Sequence, residues 1–137
     1  MTLNYLAIFI ATIVFYIFGA VYFTVLEKQY ISAQETTKEQ LATNPKWGSS
    51  FAPYAIAFVF LLVLNTIFAN FITMLRLSQP TAVVGAMLGF QVWLGFSLPT
   101  LIILNAYENK TKKLTFINGL YFLIGLISSG IILTVMK

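Results

Sequence analysis

The chain alternates between long apolar stretches and short polar breaks. Four stretches stand out, at about residues 3–26, 51–75, 80–107 and 114–136, and none contains a charged side chain. Each exceeds the ~20 residues that carry a helix across a hydrocarbon core about 30 Å thick. Strands of a membrane barrel would instead be ~10 residues long and alternate apolar with polar positions. Backbone N–H and C=O groups in lipid must be satisfied within the segment, so the pattern predicts four transmembrane helices. The expected fold is therefore all-α: a single integral membrane four-helix bundle over 1–137.

The polar breaks set the organisation. The longest, 27–50, is the one stretch with soluble character. Thr36 and Glu39 stand at capping-box spacing, which predicts a short helix over about 37–43, stopped at Asn44-Pro45. Trp47 follows as an interfacial anchor for the second span. The break at Arg76–Pro80 is tight and predicts that spans 2 and 3 pack as antiparallel neighbours. Lys28, Lys38 and Lys46 lie in the first break, and Lys110, Lys112 and Lys113 in the third; only Arg76 and Lys137 lie on the other side. The positive-inside rule then places segments 27–50 and 108–113 in the cytoplasm and both termini outside. The first span lacks a basic leader and a small-x-small cleavage site, so it reads as a retained helix rather than a signal peptide.

Composition narrows the function classes. Of 137 residues 59% are hydrophobic and 9% charged, against about a quarter charged in a soluble domain. That excludes a soluble enzyme and a nucleic-acid-binding module. There is no cysteine and no histidine. A thiolate nucleophile, a disulfide, the usual general base and the commonest metal ligand are thus all missing. No cofactor and no metal is expected, and catalysis is not. A proton-coupled antiporter would need a titratable group at mid-membrane, and no span carries one.

The residues that are expensive to bury carry the remaining information. At 1.5 Å rise per residue, Asn65 and Gln91 lie within about 3 Å of the midplane of their spans, with Tyr16 and Trp93 at the same depth. Amide, phenol and indole groups in hydrocarbon need partners. The economical arrangement turns them toward one another, with Asn65 and Gln91 paired across spans 2 and 3. Such a layer is either interhelical glue or a site for a small polar solute; the bland reading comes first, because neutral amides commonly serve as glue. Small residues mark close helix approach: Ala7, Ala11 and Gly19 on span 1, Gly85 and Gly89 on span 3, Gly125 and Ser129 on span 4. Pro99 lacks an N–H and frees the carbonyl of Gly95, which bends span 3; Ser97 or Thr100 could satisfy it.

The run Trp93-Leu94-Gly95-Phe96-Ser97-Leu98-Pro99-Thr100 resembles the signature of the bacterial membrane family called domain of unknown function 1761. Asn4-Tyr5-Leu6-Ala7-Ile8, Tyr107-Glu108 and Phe116-Ile117-Asn118-Gly119-Leu120-Tyr121 extend the resemblance over almost the whole chain. The family's Trp-Tyr near the end of span 1 is replaced here by Val21-Tyr22. The resemblance implies four spans in a bacterial cytoplasmic membrane and singles out Trp93, Pro99 and Asn118, but it implies no activity. The function expected is a non-catalytic module that self-associates or docks a membrane partner; the alternative is a small channel or permease along a seam through Asn65, Gln91, Trp93 and Ser97.

Overall fold

The computed structural model describes residues 4–33, 52–75, 78–109 and 111–136. Helix α1 is Tyr5–Val25, α2 Glu27–Ala33, α3 Ala52–Leu75, α4 Ala82–Val92, α5 Leu98–Tyr107 and α6 Lys112–Val135; a π-helical turn, Trp93–Ser97, joins α4 to α5. Four helical runs are long and apolar enough to cross a membrane: Tyr5–Val25, Tyr54–Leu75, Ala82–Tyr107 and Lys112–Val135. They are spans 1 to 4. The helix expected over 37–43 and the anchor Trp47 lie outside the described residues. A short helix not foreseen in the sequence, α2, directly follows span 1 and lays the Tyr30 ring edge-on against Phe23 at 4.9 Å.

Side-chain oxygens start three of the spans. Asn4 accepts from the Ala7 N–H at 3.1 Å, Thr81 from Val84 at 3.3 Å and Thr111 from Leu114 at 3.1 Å. Each satisfies one of the orphan donors of a helix N-terminus. Two residues past the end of span 3 stands Asn109, whose φ of 55° is left-handed. Asparagine tolerates that conformation, and its N–H returns to the Ala106 carbonyl at 3.2 Å.

Packing follows the order span 2, span 1, span 4, span 3, with span 2 also touching span 4. The neighbourhood expected from the Arg76–Pro80 turn is therefore corrected: spans 2 and 3 are consecutive but do not pack along their length. Span 3 instead lies against span 4. The reason is glycine. Gly85 and Gly89 set the α4 backbone directly on the α6 backbone at Leu126, Ile127 and Gly130, closer than any residue with a side chain permits. The dispersion attraction between backbones this close is a main source of helix association in lipid.

Spans 1 and 4 are fastened along their whole length. At one end the Asn4 side-chain amide donates to the Met136 carbonyl, and at the other the Tyr22 hydroxyl donates to the Ile117 carbonyl at 2.6 Å. Between them Phe15, wholly buried, drives its ring into the notch left by Gly125 and meets Tyr121 and Phe122 edge-on at 5.3 and 6.2 Å. Gly19 leaves the matching notch for Tyr121. Ala7, Ala11, Phe15 and Gly19 are all buried, one stripe of span 1 at four-residue spacing.

Candidate functional site

The midplane amides separate. Asn65 is fully buried, its Nδ2 donating to Thr12 Oγ1 on span 1 at 3.3 Å and to the Leu61 carbonyl one turn back at 3.0 Å. Gln91 is exposed on the outside of the bundle. The expected Asn65–Gln91 pair is thus corrected, and the cause is the helix order: span 2 faces span 1, where Thr12 supplies an acceptor at the right depth. Thr12 in turn donates to the Ile8 carbonyl at 2.8 Å. Thr12 is the partner the sequence reading missed, although it is one of very few polar residues inside span 1. Tyr16 is half-buried with its ring edge-on to Phe58 at 5.6 Å. Among the described residues, three buried polar atoms have no hydrogen-bond partner: Asn65 Oδ1, Ser129 Oγ and Thr134 Oγ1.

Trp93 goes a different way from Asn65. Its indole N–H donates to the Gly119 carbonyl of span 4 at 2.8 Å. That bond satisfies the indole at depth and spans the gap where span 3 changes its winding. In the π turn the Leu98 N–H reaches back five residues to the Trp93 carbonyl. Pro99 has no N–H to offer Gly95, so widening the turn here disturbs less than it would in a regular helix. Thr100 places its hydroxyl on the Phe96 carbonyl rather than on Gly95.

The π turn changes which residues face span 4. In a regular helix the stripe Gly85, Gly89, Trp93 would continue to Phe96 and Thr100. With one residue added it continues instead to Leu98, Ile102, Asn105 and Asn109. Phe96 is accordingly 69% exposed, while Asn105 is 7% exposed and donates to Thr115 Oγ1 of span 4 at 2.7 Å. Ser97 is half-buried within the turn, Asn118 is partly exposed on span 4, and Gly95 lies on the outside with nothing within 4 Å of where a Cβ would stand.

Past the turn, leucine and isoleucine replace the two glycines at the interface, so spans 3 and 4 part. The result is a cleft of about 640 Å³ between α5 and the first turns of α6. Trp93, Leu98, Ile102, Phe116 and Leu120 line its apolar part, and Asn105, Thr115, Asn109 and Lys112 lie toward the hairpin end. Among the described residues no three of Asp, Glu, Cys or His gather as a metal site would require.

Asn65, Gln91, Trp93 and Ser97 therefore do not share one seam inside the chain. Asn65 is enclosed against span 1, Gln91 faces outward, and Trp93 is tied to span 4. No curated protein and no solved structure matches the chain. The sequence profile of the family described as protein of unknown function DUF1761 matches residues 6–134. That range takes in all four spans, the π turn and the cleft, and the chain belongs to this family of proteins of unknown function.

Proposed function

We propose that the protein is a non-catalytic membrane module that self-associates through the outer face of span 3. One observation carries this reading: Gln91, a carboxamide near the middle of a membrane span, is exposed on the side of the helix turned away from span 4. A primary amide facing hydrocarbon forfeits several kcal/mol of hydration unless something bonds to it. Gln91 carries both donors and an acceptor, so it is its own complement. Two copies related by a twofold axis exchange two hydrogen bonds through this one residue.

The surroundings of Gln91 favour a close approach. Met87, 57% exposed, lies one turn before it, and Gly95, open on its outer side, one turn after. A methionine adapts to the opposing surface, and a glycine lets a second backbone come near. Span 3 also gives the rest of the chain little to hold: of Ala82–Tyr107 only Gly85, Gly89 and Asn105 are buried. A helix so sparsely covered has most of its surface left for another protein.

The test is the monomer–dimer equilibrium in lipid bilayers, read by single-molecule photobleaching across a range of protein-to-lipid ratios. Each interhelical hydrogen bond in lipid contributes about 0.6–1.7 kcal/mol, so Gln91→Leu should weaken dimerisation roughly 3- to 18-fold per bond. Asn65→Leu, enclosed within the chain, should leave it unchanged. A monomeric wild-type protein at high density, or a dimer indifferent to Gln91→Leu, would refute the proposal.

A further inference from the structure

We infer that the cleft between α5 and α6 is a binding site for an anionic phospholipid, one acyl chain lying in the apolar part and the phosphate held at Lys112. The site is on the side of span 3 facing span 4, so it stands or falls separately from self-association through Gln91.

Three features point to a lipid. The first is the ordering of chemistry along the cleft. From Trp93 and Leu120 outward it is lined by Leu98, Ile102 and Phe116, then by the mutually bonded Asn105 and Thr115, and at the hairpin end by Asn109 and Lys112, the one charged residue of the lining. That is the profile of an amphiphile with a long apolar tail and one charged head. The second is depth. Lys112 to Leu120 spans about 12 Å of helix and Leu98 to Tyr107 about 14 Å, close to the ~15 Å of one hydrocarbon leaflet. A chain entering beside Lys112 ends near Trp93. The third is the end at which the charge sits. Lys112 opens α6 just after its cap Thr111, so its ammonium lies where a helix N-terminus adds further positive potential.

The cleft is held open by construction. Trp93 is fixed to the Gly119 carbonyl and Asn105 to Thr115 Oγ1, each bond tying one wall to the other, so neither side chain is free to fill the space. Phe116, 66% exposed, and Ile102, 48% exposed, present apolar edges to whatever enters. A lipid chain is the apolar body available at every moment in the bilayer. The phosphate supplies the charge that Lys112 complements.

Trp93 is a built-in reporter. The chain has two tryptophans, so Trp47→Phe leaves Trp93 alone. The protein is reconstituted in phosphatidylcholine vesicles containing a fixed minor fraction of lipid brominated in mid-chain, either phosphatidylglycerol or phosphatidylcholine. Quenching of Trp93 should favour brominated phosphatidylglycerol about fivefold in apparent affinity, the effect of one lysine beside an anionic headgroup. Lys112→Gln should abolish the preference. Lys113→Gln, outside the cleft lining, should retain it. Ala106→Leu, which adds bulk to the wall, should reduce quenching by both lipids, while Gln91→Leu should leave it unaltered. Equal quenching by the two lipids would overturn the assignment. So would a preference lost equally in Lys112→Gln and Lys113→Gln, which marks general surface charge, or a Trp93 that neither lipid quenches because a second copy covers the cleft.

Discussion

Replacing Gly89 with alanine tests the feature on which the arrangement of spans 3 and 4 depends. A Cβ at position 89 would stand 2.7 Å from both the Leu126 carbonyl carbon and Ile127 Cα. Carbon atoms in contact settle at about 3.5–4.0 Å, so the shortfall is about 1 Å. The obstacle is backbone on a continuous helix, which cannot rotate aside as a side chain would. Span 3 must therefore move outward. A gap of 0.5–1 Å forfeits roughly a quarter to a half of each contact's attraction, and the whole Gly85–Gly89 seam opens together. Overpacking of this kind costs about 1–3 kcal/mol.

Alanine also favours a helix over glycine by up to about 1 kcal/mol, which would mask part of the loss. Gly95 supplies the correction. It lies on the same span with nothing within 4 Å of its Cβ position, so Gly95→Ala collects the backbone benefit without the clash. The difference in unfolding free energy between Gly89→Ala and Gly95→Ala, measured by steric trapping in bicelles dilute enough to keep the chain monomeric, should be about 1–3 kcal/mol, with Gly89→Ala the less stable. Two variants of equal stability would mean that the backbone contact between spans 3 and 4 is not what joins them.

Further outcomes follow from the same geometry. Asn65→Leu should cost only about 0.6–1.7 kcal/mol: its Leu61 bond and its unpartnered Oδ1 are present in the separated helix too, so only the bond to Thr12 is lost, and a loss beyond 3 kcal/mol in the same assay would contradict this. Phe15→Ala should be the most damaging of these changes, about 3–5 kcal/mol, because it empties the notch at Gly125 and removes two aromatic contacts; a milder effect in the unfolding assay would argue against a rigid junction of spans 1 and 4. Pro99→Ala restores an N–H for the Gly95 carbonyl and should return the π turn to α, rotating α5 by about 100°. The chain is free of cysteine, so Asn105→Cys with Thr115→Cys should cross-link in the parent and lose that cross-link in the Pro99→Ala background. Thr111→Ala should cost about 1 kcal/mol by uncapping span 4.

The four spans were legible because hydrophobic length is a property of the segment alone. Their neighbours were not, because lipid and protein interior are equally apolar and leave no hydrophobic stripe to say which face turns inward. Residues with geometric rather than hydrophobic consequences said more. The Ala7–Ala11–Gly19 spacing and the Gly85–Gly89 pair read directly as close approach, whereas Gly130, which meets Gly85 backbone to backbone, was overlooked beside Ser129. Pro99 announced a departure from α-helix at the right place, but not its kind. A kink would have left Asn105 on the outside of the expected stripe; one added residue turned it onto Thr115.

Asn65 and Gln91 make the limit of sequence reading concrete. Both are carboxamides at nearly the same depth, and nothing in their local sequence distinguishes them. The difference is set elsewhere, by Thr12 on span 1 and by two glycines that draw the other face of span 3 toward span 4. Once Gly85 and Gly89 commit that face, Gln91 has no choice but to point out of the bundle. A polar group in hydrocarbon still needs its hydrogen bonds. On the proposed reading, the same glycines that pack span 3 within the chain turn Gln91 toward a second copy. This links the two experiments: if Gly89→Ala frees span 3 to turn, Gln91 should find donors within the monomer, and the dimer should weaken even though position 89 lies away from its interface.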